Sequence, residues 1–150
     1  MLLDDPSAPV GTLIKQITSS GELLNPNVVK VVLTAGGYAI YFSRSIVPYV
    51  RGEADEQRWL DQHTFYKHIG LYIFRRDFLM QYTHLPVSRL EKAEKLEQLR
   101  ILEAGFKIKA GVTKYDSVPI DTPEDVNRVV TIMRQSTSEP EKGKQWPETM

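Results

Sequence analysis

The segment Val28-Val29-Lys30-Val31-Val32-Leu33, followed by Thr34-Ala35-Gly36-Gly37 and then Tyr38-Ala39-Ile40-Tyr41-Phe42-Ser43-Arg44, constrains the fold more than any other stretch. Its first arm is rich in β-branched residues, which suit a pleated and largely buried strand. The two adjacent glycines tolerate the positive φ that a tight turn demands. The pattern predicts a β-hairpin, with the turn signal Asn25-Pro26-Asn27 leading into its first arm.

Around the hairpin the chain alternates between strand and helix signals. Residues 65–74 read as a further strand, and Asp77-Phe78-Leu79-Met80-Gln81-Tyr82 as a short helix that ends before Pro86. Ser88 with Glu91 three residues on matches the capping box, in which each side chain satisfies a free N–H at a helix start. Beyond it Leu90, Ala93, Leu96, Leu99 and Leu102 recur every third residue. Such a stripe drifts by about 60° per step around a regular helix, so this helix is either broadly buried or bent. Gly105 is a helix stop, and Phe106-Lys107-Ile108-Lys109-Ala110 alternates as a half-exposed strand does. Asp121-Thr122-Pro123-Glu124-Asp125 offers a threonine N-cap, proline at the first helical position and acids in the first turn, with Val126, Val129, Val130 and Met133 on one face of the helix that follows. Thr12-Leu13-Ile14-Lys15-Gln16-Ile17 fits a short helix or a strand equally well. Residues 45–63, with Pro48, Gly52, many charges and Trp59 as the main apolar side chain, read as a long surface loop. The whole predicts one α/β layered domain with a mixed sheet over residues 1–135, the hairpin being its antiparallel element, and a disordered tail over 136–150.

Composition narrows the function. With 150 residues, 41% of them hydrophobic, the chain is long enough to bury the core of one ordinary domain. Nineteen basic and nineteen acidic residues cancel. No global field draws in nucleic acid or an anionic membrane, so nucleic-acid binding is not expected, and no apolar run is long enough to span a bilayer, so neither is membrane insertion. The absence of cysteine excludes disulfides, thiolate nucleophiles and cysteine-based zinc sites. The N-terminus turns acidic at Asp4-Asp5 before any apolar core of signal-peptide length, and a cytoplasmic protein is the simplest reading.

No G-x-x-x-x-G-K-[ST] or G-x-G-x-x-G phosphate loop occurs, and Ser43 and Ser45 lack the sequence of a nucleophile elbow. His63, His68 and His84 have no spacing that would put two on one helix face with a carboxylate, which argues against catalytic zinc. Chemistry concentrates elsewhere. His68 and Tyr72, four residues apart on one expected strand, and Glu97-Gln98 on the following helix form a set suited to binding a polyol. Each also has a plain structural reading: His68 a satisfied core histidine, Tyr72 core packing, Glu97-Gln98 a solvated helix face. Arg44 and Arg51 could equally be surface charges. Asp121, at the mouth of a strand-to-helix turn, either caps the helix or binds Mg²⁺ that also takes phosphate oxygens.

Taken together, Asn25-Pro26-Asn27-Val28-Val29-Lys30-Val31-Val32, Tyr41-Phe42-Ser43-Arg44-Ser45-Ile46-Val47-Pro48, Lys67-His68-Ile69-Gly70-Leu71-Tyr72, Leu96-Glu97-Gln98-Leu99-Arg100 and Asp121-Thr122-Pro123-Glu124-Asp125 resemble the C-terminal part of the CMP-Kdo synthetases, the 3-deoxy-manno-octulosonate cytidylyltransferases. The motifs keep the family's order and spacing from Asp4 to about Arg134. The resemblance implies a partial nucleotide-diphospho-sugar-transferase-like fold. It also implies a Mg²⁺-dependent reaction in which the anomeric hydroxyl of Kdo attacks the α-phosphate of CTP to give CMP-Kdo and pyrophosphate for lipopolysaccharide synthesis. By the same resemblance Arg44, His68, Tyr72, Glu97 and Gln98 contact the sugar, Asp121 is a magnesium ligand, and the protein forms a homodimer through this region.

Departures from the family pattern carry expectations too. The family's triphosphate loop, L-P-A-R-x-x-S-x-R-x-P-x-K, and its Q-G-D-E-P segment with the other magnesium aspartate do not occur in this sequence. Val118-Pro119-Ile120 stands where a glycine-valine pair is usual, and Arg89 where proline is common. The chain is therefore expected to be truncated and inactive by itself, with three alternatives open. It could be half of a split enzyme completed by a separate chain, an inactive Kdo-binding or dimerisation module, or a relative of the CMP-sialate synthetases, although the His68-to-Tyr72 and Glu97-Gln98 motifs favour Kdo.

Overall fold

The computed structural model describes residues 2, 5–116, 126, 127, 129–131 and 133. These belong to two units, Met1–Asp116 and Ser117–Met150. In the second, 126–127, 129–131 and 133 are helical. The helix start expected at Asp121-Thr122-Pro123 and the tail from 136 onward lie outside the described residues.

The first unit is built on one five-stranded sheet. Its strands are β1 (Val10–Gln16), β2 (Lys30–Leu33), β3 (Ala39–Ser43), β4 (Tyr66–Phe74) and β5 (Ile108–Val112), in spatial order β3-β2-β4-β1-β5. The hairpin forms as expected: β2 and β3 pair antiparallel, and the turn places Gly37 at φ 73°, where a side chain on Cβ would be strained. The segment left open between helix and strand is β1, which pairs antiparallel with β4 and parallel with β5. The sheet is mixed, as the alternation of elements implied. It also curls, so that Tyr38 at the hairpin bridges to Lys109 of β5, and Ala110 N–H donates to Gly37 O at 2.8 Å.

One face of the sheet carries the main core. Val10 and Ile14 of β1, Val31 of β2, Phe42 of β3 and Ile108 of β5 pack with Phe78 of α3 (Arg76–Tyr82), Leu96, and Leu99 and Ile101 of α5 (Leu99–Glu103). Each such side chain withdrawn fully from water contributes about 1.5–3 kcal/mol, before chain entropy is set against it. On the opposite side, buried Lys67 pairs with Glu22 of α1 (Ser20–Leu24) and, at 2.9 Å, with Asp116, which Lys15 also meets at 2.9 Å.

Residues 45–63 depart from the expected surface loop. A 3₁₀ turn at Glu56–Arg58 leads into α2 (Trp59–Gln62), and Trp59 is only 2% exposed. With Ile17, Leu23 and Phe65 it forms a second core; its ring stacks on Phe65 at 6.5 Å and meets Tyr49 edge-on at 5.0 Å. Its indole N–H donates to Glu53 O at 2.9 Å. A charged, proline-containing stretch hid a single large anchor.

The capping box opens α4 (Arg89–Glu94) as read, with Glu91 N–H donating to Ser88 Oγ and Ser88 N–H to Glu91 Oε2, both at 3.3 Å. The helix is not continuous. Lys95 adopts the left-handed conformation, φ 56°, and the chain restarts as α5. This resolves the drifting stripe: Leu90 and Ala93 are exposed, whereas Leu96 and Leu99 are buried. The two short helices are tied by Arg100, which grips Glu91 with Nε at 2.7 Å and a second nitrogen at 2.5 Å. That two-point grip holds the Glu91 carboxyl below the ordinary glutamate range.

Candidate functional site

β4 carries the central pair. In a regular strand His68 and Tyr72 would stand about 13 Å apart, four residues at roughly 3.3 Å each. Their rings instead lie 5.2 Å apart. The reason is a bulge: Thr12 of β1 pairs with Tyr72 and the next residue, Leu13, pairs with Ile69, so Gly70 and Leu71 have no partner on β1. Shortening the strand by two residues keeps both side chains on the same face while drawing them together. Phe42 of β3 meets the His68 ring edge-on at 5.1 Å, and Phe74 flanks Tyr72 at 5.9 Å.

Burial sets the charge of this pair. It pushes the His68 imidazole down to about 4, so the ring is neutral near pH 7. Burial also pushes the Tyr72 phenol upward, with the nearby Glu97 carboxylate adding to the shift. Both groups are therefore neutral hydrogen-bonding partners. The site suits hydroxyls.

The break at Lys95 places the other two residues. Gln98 sits at the N-cap position of α5 and is 5% exposed, and the adjacent Glu97 is exposed. Two buried polar atoms of the site, the Tyr72 hydroxyl and Gln98 Nε2, have no protein hydrogen-bond partner.

Arg44, just past β3, is held at the same helix break. Its Nε donates to Glu94 O at 2.7 Å, and its terminal nitrogens to Pro26 O at 3.2 Å and Lys95 O at 3.5 Å. It thereby satisfies carbonyls that the end of α4 leaves without intrahelical partners. Three of the five guanidinium N–H groups are so used, leaving two for a ligand. Arg44 also lines an open cleft of about 440 Å³ with Pro26, Ser45, Tyr49 and Trp59.

Sequence reading missed three residues that build this geometry. Glu94 accepts from Ser43 Oγ at 2.7 Å and from Arg44 N–H at 2.9 Å, joining β3 to α4. Lys30, 1% exposed, donates to the carbonyls of Asn25, Val28 and Arg44 at 2.8, 2.8 and 2.9 Å. Thr12, 1% exposed, touches His68 across the sheet. Nothing in the sequence sets Glu94 or Lys30 apart from the chain's other charged residues, and nothing in the spacing marks Thr12.

Arg51 is exposed. Asp121 lies outside the described residues, and among the described residues no three His, Asp or Glu side chains converge as a metal site. Among them, too, no helix is long and apolar enough to cross a membrane.

The family model described as Cytidylyltransferase matches residues 1–108. A 3-deoxy-manno-octulosonate cytidylyltransferase of Cytophaga hutchinsonii is 53% identical over 124 residues, which cover 83% of this chain and 50% of that protein. That of Parabacteroides distasonis is 49% identical over 133 residues, covering 86% of this chain and 53% of the relative. Among solved structures, CMP:2-keto-3-deoxy-manno-octonic acid synthetase complexed with CTP superposes with a TM-score of 0.79 at 40% identity, covering 90% of this chain and 53% of that one. This chain thus spans about half the length of the curated relatives it matches. On the family model, which spans more than half of the chain, the chain belongs to the cytidylyltransferase family, and within its length it is similar to the CMP-Kdo synthetases.

Proposed function

We propose that this chain supplies the sugar-binding part of a nucleotidyltransferase that joins Kdo to CMP, using CTP and releasing pyrophosphate, for lipopolysaccharide synthesis. One observation carries the reading: the Tyr72 hydroxyl and Gln98 Nε2 are buried without protein partners, at two positions that the resemblance assigns to the sugar. A buried polar group left unpaired costs about 1–3 kcal/mol, which a ligand hydroxyl in hydrogen-bonding reach offsets.

The remaining residues divide the sugar between them. His68, neutral because it is buried, and Glu97 bond hydroxyls, while the two spare N–H groups of Arg44 suit the carboxylate of a 2-keto acid sugar. In the transfer, the anomeric oxygen bonds to the α-phosphorus of CTP, the bond from that phosphorus to pyrophosphate breaks, and the hydroxyl proton leaves to solvent. The work of these residues is to hold the sugar so that its anomeric hydroxyl faces the nucleotide. By the resemblance Asp121 would hold a Mg²⁺ ion, which would supply neutralisation of charge on the phosphates. The triphosphate-binding segment belongs to this reading as well, in the same or a separate chain. So do a cytoplasmic location and a homodimer, the latter supported by the exposed apolar side chains Leu71, Ile73, Leu79 and Met80.

Calorimetric titration of the 150-residue chain with Kdo tests the reading. Saturable binding is expected, weakened about 5–10-fold in Gln98→Ala. Equal affinity in the variant, or no binding at all, sinks it. Given CTP, Kdo and Mg²⁺, the chain alone is expected to release no pyrophosphate above background; release that disappears in Asp121→Ala would mean that it binds CTP by another route.

A further inference from the structure

Thr12 lies opposite the β4 bulge and bonds to both flanks of it. Its Oγ1 is 2.9 Å from Leu71 O, 3.4 Å from Ile69 O and 3.0 Å from His68 Nε2. A hydroxyl has a single proton to donate, and a carbonyl oxygen can only accept. If that proton pointed at His68, two oxygens, Thr12 Oγ1 and Leu71 O, would face each other at 2.9 Å with no hydrogen between them. The arrangement that satisfies every group has Thr12 donating to Leu71 O and accepting from a protonated Nε2.

The rest of the environment keeps that assignment simple. Burial alone perturbs His68, no charged side chain contributing, so the ring carries one proton near neutral pH. With that proton on Nε2, Nδ1 is a bare acceptor, and no described residue donates to it. The edge-on contact with Phe42 at 5.1 Å fixes the plane in which Nδ1 points.

We propose that Thr12 is a positioning residue that holds His68 as the neutral Nε2–H tautomer, so that Nδ1 accepts a hydrogen bond from a hydroxyl of a polyol ligand. The polyol rests on the sugar-binding reading above, whereas the tautomer rests on Thr12 alone. The consequence for specificity is direct: a neutral acceptor recognises a hydroxyl and repels a carboxylate, which leaves the acid group of a sugar acid to Arg44. Valine at position 12 would keep the shape and lose the bond. Serine would keep the bond.

The test is long-range ¹H–¹⁵N correlation of the imidazole nitrogens in the ¹⁵N-labelled chain near pH 7, without ligand and then with Kdo. In the wild type Nε2 is expected to carry the proton, and Nδ1 to shift on addition of sugar. Thr12→Ser should keep the pattern, Thr12→Val should give a mixture of tautomers, and the latter should bind Kdo about 5-fold more weakly. A wild-type ring protonated on Nδ1 overturns the proposal without any variant. So does an unchanged tautomer in Thr12→Val, even if Kdo still binds, in which case the sugar site itself stands. An Nε2–H ring whose Nδ1 is unmoved while calorimetry shows Kdo binding overturns the hydrogen bond proposed for Nδ1, and an unmoved Nδ1 with no binding overturns the sugar-binding reading instead.

Discussion

Replacing Tyr72 with phenylalanine should stabilise the free chain and weaken its ligand, two effects of opposite sign from one oxygen atom. The hydroxyl is buried without a protein partner, and the ring is packed between His68 at 5.2 Å and Phe74 at 5.9 Å. Phenylalanine keeps both ring contacts and removes only the unpaired group. Since such a group costs about 1–3 kcal/mol, the variant should gain on the order of 1 kcal/mol, which for a chain of this size raises Tm by about 4 °C. Kdo affinity should fall about 5–10-fold, the worth of one hydrogen bond to a hydroxyl. Urea unfolding without ligand and calorimetry with it measure the two effects on the same preparation. A Tyr72→Phe variant less stable than wild type by about 1 kcal/mol would mean that the hydroxyl is already bonded in the free protein, and the reasoning that makes it a ligand group fails.

Further predictions follow from the groups around the site. The folded-state pKa of His68, about 4, lies below its ordinary value of 6.5. The folded chain thus binds fewer protons than the unfolded chain between those values, so the stability this group contributes is present above 6.5 and lost as pH falls towards 4. The loss should be about 2 kcal/mol between about pH 7 and about pH 5, seen as a falling urea midpoint and absent from His68→Gln. Lys30→Met strips the ammonium from three carbonyls and should destabilise by about 3 kcal/mol in the same assay; a change near zero would show that those carbonyls find other donors. Lys95→Gly removes the steric cost of a left-handed residue and should stabilise by roughly 0.5–1 kcal/mol, with a loss of stability counting against the left-handed break.

Much of the framework was legible because it is local. The hairpin follows from β-branched residues and a glycine pair, and the start of α4 from Ser88 and Glu91, because turn and cap chemistry are decided within a few residues. β1 was not legible, since a short apolar run becomes a strand only when β4 and β5 take up its N–H and C=O groups on both sides. Trp59 reads as part of a surface loop in the sequence because its partners, Ile17, Leu23 and Phe65, are scattered along the chain.

The site divides in the same way. Residue types and family motifs single out His68, Tyr72, Glu97, Gln98 and Arg44 as candidates from the sequence, since the chemistry of a side chain is carried by its identity. What they do together was decided by tertiary structure. The bulge opposite Thr12 draws His68 and Tyr72 from strand spacing into ring contact. The helix breaks where the guanidinium of Arg44 meets the last carbonyls of α4, and beyond the break Gln98 is buried. Burial in turn fixes the ring of His68 as neutral. Each of these depends on atoms brought close by folding from positions far apart in sequence. Hydrogen bonds and desolvation act over a few ångströms of space, and a one-dimensional pattern does not encode those distances.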